Sequence, residues 1–117
     1  MRPWDIIKEL ESDNSRLKKE AIIKRESDAE NIEFFNGVGA ALDGFRTFGV
    51  QKVPVAKVDG EGLSQSEFDD VLRELEARTL TGNQMRDVIQ SLCDKSKVDQ
   101  WNNWYRRILI KDLRCGV

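Results

Sequence analysis

The chain has 117 residues, with 19 Lys and Arg, 21 Asp and Glu, no His, two Cys and two Pro, and a net charge of −2. That length fits one domain around a single hydrophobic core, and the lack of histidine removes His-based triads and His-containing zinc sites. Cys93 and Cys115 cannot complete a four-thiolate site and read as free thiols of a reduced, cytosolic protein.

No run approaches the roughly 18 apolar residues of a membrane span, and Met1-Arg2-Pro3-Trp4 starts no signal-peptide core. Apolar residues recur at helical spacing nearly everywhere, and no stretch alternates with period two. The expectation is an all-α, compact bundle of about six helices, one domain over residues 1–117. Pro3 suits a first helical turn, with Ile6, Ile7 and Leu10 on one face. A short second helix is expected to carry Leu17, Ala21 and Ile22. Ser27 and Glu30 are spaced as a capping box for a third helix bearing Ile32, Phe35, Val38 and Leu42. Within it Gly37 and Gly39 mark a close helix crossing.

Residues 43–63 hold Gly44, Gly49, Pro54, Gly60 and Gly62 and read as a loop, with Pro54 biasing Val53 away from helix. Ser64 with Glu67 repeats the capping signature before Phe68, Val71, Leu72 and Leu75. Thr81 with Gln84 does the same before Met85, Val88, Ile89 and Leu92. The last helix is expected from about Lys97 to Leu113, with Gly116 as its stop.

Charge is divided unevenly along the chain. Residues 1–77 carry 11 basic and 17 acidic groups, whereas residues 78–117 carry 8 and 4, a balance of −6 against +4. The basic third suggests a localised anion-facing surface, and chance scatter on a solvated face gives the same count. Lys57-Val58-Asp59-Gly60 matches the Lys-x-Asp-Gly pattern in which a lysine attacks ATP, but Asp-Gly is also an ordinary turn dipeptide. The chain shows no second motif for such a site. Glu67, Asp69 and Asp70 fall in or near a helix's first turn, where carboxylates suit the macrodipole. Cys93 has no evident basic partner, and no Gly-rich phosphate loop is present.

The end of the chain carries more. Val98, Trp101, Tyr105, Ile108 and Leu109 share one side of a helix, with Trp104 near the edge, and read as core. Arg107, Lys111 and Arg114 follow i, i+4, i+7 on the opposite side, a cationic face suited to deep solvent or to an anion. Asp112 projects into the apolar arc and calls for a buried or half-buried salt bridge or cap. Upstream, Arg78-Thr79-Leu80-Thr81-Gly82-Asn83 opens a helix N-terminus with exposed N–H groups, a phosphate-binding geometry.

Leu80-Thr81-Gly82-Asn83, followed by Arg106-Arg107-Ile108-Leu109-Ile110-Lys111-Asp112-Leu113-Arg114-Cys115-Gly116, resembles the N-terminal DNA-binding domain of T-even-phage ATP-dependent DNA ligases. The Lys-Asp-Leu-Arg-x-Gly ending is similar to the same region of archaeal and eukaryotic ligases, and Phe48-Gly49-Val50-Gln51-Lys52-Val53-Pro54 to the loop entering that domain's second half. The likeness extends over almost the whole chain.

It implies a helical clamp that grips the backbone of nicked double-stranded DNA without reading sequence, in replication, repair and recombination. The adenylation and sealing domains, with ATP and Mg, would follow Val117, so the chain itself would hold no catalytic residue, metal or cofactor. Thr81, Gly82, Asn83, Arg107, Lys111, Arg114 and Gly116 would be the DNA-binding residues. The rest of the ligase chain and a sliding clamp would be further partners, in the cytoplasm of an infected bacterial host. Two other readings stay open: a helical protein–protein module docking to a replication partner through its acidic two-thirds, and a minimal adenylyltransferase using Lys57.

Overall fold

The structure is a computed structural model that describes residues 1–50 and 52–115. Among the described residues there are six helices and no strand. They are α1 (Pro3–Glu11), α2 (Arg16–Asp28), α3 (Ile32–Leu42), α4 (Gln65–Glu76), α5 (Gly82–Lys95) and α6. The last runs through three continuous stretches, Val98–Gln100, a π-helical Trp101–Tyr105, and Arg106–Leu109.

The core is built on α6, which packs on α1 and on α3. Trp101, Trp104, Tyr105, Ile108 and Leu109 are all buried, as the aromatic spacing predicts. The π turn, closed by the Arg106 N–H on the Trp101 carbonyl, widens the helix so that three large aromatics face inward within five residues. Trp104 stacks on Phe34 with centroids 5.7 Å apart. Any Cβ at Gly37 would overlap the Trp104 indole, so the close crossing falls at Gly37. Gly39 has open space around it and takes no part in that crossing. From α1, Ile6, Ile7 and Leu10 are wholly buried.

Three expectations about the helices need correction. Ser27 lies inside α2, which ends in a Schellman turn: Glu30 is left-handed at φ 54°, with Glu30 N–H on Ser27 O (3.0 Å) and Asn31 N–H on Glu26 O (3.1 Å). Asn31, not Ser27, caps α3 by accepting the Phe34 N–H at 3.2 Å. The later start moves the buried stripe of α3 to Phe34, Gly37, Ala40 and Ala41, leaving Ile32 and Leu42 exposed. In α2 only Ile22 and Glu26 are buried, and Leu17 and Ala21 face solvent. The Ser64–Glu67 cap forms as its spacing predicts, the Ser64 hydroxyl accepting the Glu67 N–H at 3.2 Å.

Residues 43–63 hold no helix or strand among those described, yet they are closely tethered. The Asn102 amide donates to Ala56 O (2.9 Å) and accepts from Ala56 N (2.8 Å), as a neighbouring strand would. Trp101 Nε1 donates to Pro54 O at 2.8 Å, Arg106 to Val53 O, and Tyr105 Oη to Leu63 O at 3.1 Å. Gln100 brackets the Leu63 backbone on both sides. One face of α6 therefore orders the connection that leads from α3 to α4, satisfying backbone groups that regular structure would otherwise pair.

Candidate nucleic-acid interface

The end of α6 differs from its expected course. The helix closes at Leu109–Ile110 in another Schellman turn, with Lys111 N–H on Ile108 O and Asp112 N–H on Arg107 O, both at 3.0 Å. Lys111 is the left-handed residue, at φ 57°, and Arg114 is left-handed too, at φ 53°. Helical phase therefore does not continue past 110, and Arg107, Lys111 and Arg114 do not form one face. Gly116 lies outside the described residues.

Each of the three cations has its own surroundings. Arg107 is largely buried, with a side chain 12% exposed, and is paired with Glu11. It also donates to the carbonyls of Leu113 (2.9 Å) and Asn102 (3.2 Å), and its burial lowers its pKa. Lys111 Nζ donates to three carbonyls, Ala40 (2.9 Å), Asp43 (2.7 Å) and Arg46 (2.6 Å), over the face of Phe48. All three ammonium protons are thereby used, and desolvation lowers its pKa. Arg114 is exposed and 3.5 Å from Asp112. Asp112 is itself exposed, not buried in the apolar arc. With the helix over, it caps the Arg114 N–H at 3.1 Å.

Thr81, Gly82 and Asn83 are exposed at the start of α5. Thr81 sits at the cap position but makes no side-chain cap, and Gly82 takes φ 62°, a conformation that strains any other L residue. The first N–H groups of this 14-residue helix are thus left uncapped by side chains. Along the first turns of α5 lies a groove lined by Gly49, Val53, Met85, Ile89 and Gln90, with Lys52 and Arg86 as its charges and no carboxylate among its described lining residues. Arg78 stands on the same rim. It lies against Gly49 and donates to Thr47 Oγ1 (2.7 Å) and Leu75 O (3.2 Å). Among the described ion pairs none involves Lys52, Arg78 or Arg86.

The structure thus brings Lys52 and Arg86 to one groove, which sequence spacing did not connect, while Thr81, Gly82 and Asn83 open the same helix but do not line that groove. Arg107 and Lys111 are held elsewhere by the fold. No spacing signal in the sequence ties Lys52 to α5, because its placement there depends on how α6 tethers the loop.

Asp59 and Gly60 have structural partners. Asp59 Oδ1 accepts the Val98 N–H (2.8 Å), capping α6, and Gly60 N–H bonds Ser96 O (2.9 Å). Lys57 is exposed in the same segment. Among the described residues no helix is long and apolar enough to cross a membrane.

No family model and no curated protein matches the chain. Among solved structures it is similar to two ligase-named chains. Pmar-Lig_Pre matches at TM-score 0.98 and 38% identity, and Pmar-Lig_PreS3 at 0.97 and 39%. Both alignments cover all of this chain and 27% of the other, so it spans about a quarter of the ligase-named chains it matches.

Proposed function

We propose that the chain is the non-catalytic DNA-binding domain of an ATP-dependent DNA ligase, gripping duplex DNA around a break without reading its sequence. The observation that carries this reading is the carboxylate-free groove holding Lys52 and Arg86 beside the uncapped start of α5. Phosphates are alike at every base pair, so cations and backbone N–H groups give a grip independent of sequence. Likeness to two ligase-named chains over the full length of this one supports the ligase context. In this reading ATP and Mg serve other domains of a longer ligase, and those domains are the neighbours of this one.

Thr81, Gly82 and Asn83 approach phosphate through α5, Lys52, Arg78 and Arg86 supply charge, and exposed Arg114 adds a further cation. Arg107 and Lys111 act from within, shaping the surface that the loop presents. The test is a mobility-shift comparison of the chain and its Lys52→Ala/Arg86→Ala variant on a nicked duplex. The account requires a shift for the native chain and a much weaker one for the variant. Equal shifts refute the groove as the contact.

A protein-docking reading has one observation in its favour, the exposed Leu17 and the groove along α2 that includes Ile23. It predicts no DNA shift at all and a complex with a protein partner instead.

A further inference from the structure

Phe45 is fully exposed, the only aromatic among the exposed large hydrophobic side chains of the described residues. Such exposure is unremarkable on a loose loop, but this residue stands on a well-braced turn. The Asp43 carbonyl accepts the Arg46 N–H (3.1 Å), closing a four-residue turn, and the Asp43 carboxylate accepts the Phe45 N–H (2.9 Å). Lys111 Nζ grips the carbonyls on both sides, Asp43 at 2.7 Å and Arg46 at 2.6 Å. The turn is thus fixed from below, and the ring is presented outward with no ring partner among the described residues.

Its neighbours indicate what meets it. Arg46 is paired with Glu76 at 2.5 Å, and the Asp43 carboxylate is oriented by the Phe45 N–H while keeping its charge. Two residues beyond Phe45, Thr47 accepts from Arg78, whose guanidinium has no carboxylate partner among the described residues and lies against Gly49 of the groove. An aromatic on a braced turn, two residues from the Thr47 that holds Arg78, suits a partner that is anionic along one line and apolar on adjoining faces. Nucleic acid is that partner: phosphates run along its edge, and every base and sugar offers a flat or apolar face.

We propose that Phe45 is an aromatic contact of this interface, packing onto the sugar and base edge of duplex DNA. Its contact is strongest at a break, where a base pair has lost stacking continuity on one side. Lys111 is its positioning residue. The proposal rests on the DNA-binding reading given above and adds to it a contact that carries no charge.

The experiment is a fluorescence-anisotropy titration of the 117-residue chain, Phe45→Ala and Phe45→Trp onto nicked and intact duplexes of one sequence, at two salt concentrations. Phe45→Ala is expected to melt at the native temperature, because the ring buries nothing. It is expected to bind the nicked duplex about fivefold or more weakly, at the low end of the loss that removing an aromatic contact to a base brings. The loss should be smaller on the intact duplex, and the salt slope unchanged because no phosphate contact is removed. Phe45→Trp is expected to keep native affinity, and emission from its added indole to change on binding the nicked duplex.

Native affinity in Phe45→Ala overturns the proposal and leaves the groove reading standing. A loss that appears only as a lower salt slope overturns it too, as does an effect confined to self-association without DNA. Failure of the native chain to bind either duplex at low salt overturns the proposal and the DNA-binding reading together.

Discussion

Lys111 Nζ donates to the Arg46 carbonyl at 2.6 Å, so a cation in the most basic part of the sequence is spent inside the fold. With Ala40 and Asp43 completing the set, it closes the C-terminal end of α3 onto the turn after α6. Replacing it with Ala leaves three carbonyls without that donor. Lys111→Ala is therefore expected to lower stability by about 1–2 kcal/mol in a urea melt, with the salt slope of DNA binding unchanged. Undiminished stability with a slope reduced by about one would place Lys111 on a phosphate instead.

Asn102 is the clearest test of how the 43–63 connection is held. Its amide replaces a strand partner for Ala56, with bonds of 2.8 and 2.9 Å. Asn102→Ala should cost about 2 kcal/mol, near 1 kcal/mol for each lost bond, and should speed amide exchange at Ala56 and its neighbours. Asn102→Asp keeps the acceptor for the Ala56 N–H but loses the donor. Exchange unchanged in Asn102→Ala would show that the loop is ordered by other tethers.

Gly37 tests the helix crossing. A methyl there runs into the Trp104 indole, which is stacked on Phe34, and comes tight against Ile108. Gly37→Ala is expected to destabilise by about 1–3 kcal/mol through overpacking, despite alanine's better helix propensity. Gly39→Ala, on the same helix with open space, is expected to be neutral or stabilising. A thermal melt of the two side by side checks the contrast, and equal effects would contradict the crossing described.

Glu26 gives the pH dependence. Its side chain is 4% exposed and accepts hydrogen bonds from Asn31 Nδ2 (3.0 Å) and Arg25 Nε (2.6 Å). The Asn31 bond first, and then Arg25, hold its carboxyl below the usual glutamate value. A depressed folded pKa contributes stability that is complete above the unfolded value of about 4.3 and is lost as pH falls through the folded one. Glu26→Gln should thus be less stable than the native chain at pH 7. The gap between them should close as pH drops below about 4. A gap that stays constant from pH 7 to pH 3 would exclude Glu26 as its source.

Much of the fold is legible in the sequence because it is written in local spacing. The face of α1, the Ser64–Glu67 cap, the loop around Pro54 and the aromatic stripe of α6 all follow from apolar period and turn residues. The starts and stops that depend on left-handed residues other than glycine are not legible. Glu30, Arg78 and Lys111 take positive φ in Schellman turns, and nothing in their side chains announces it. Missing the stop at Lys111 extended helical phase too far and drew Arg107, Lys111 and Arg114 onto one face.

The start of α5 was legible from Thr81-Gly82-Asn83. The approach of Lys52 to Arg86 was not, because it depends on tethers running from Trp101, Asn102 and Arg106 to the loop.

The most direct test of the central claim is the salt dependence of binding to a nicked duplex, measured by anisotropy from about 50 to 150 mM salt for the native chain and Arg86→Ala. If Lys52, Arg78 and Arg86 each neutralise a phosphate, the native log–log slope is expected to be about −2.7 or steeper, with Arg86→Ala lower in magnitude by about 0.9. Binding that is insensitive to salt, or a slope untouched by Arg86→Ala while the native chain binds, would contradict the account.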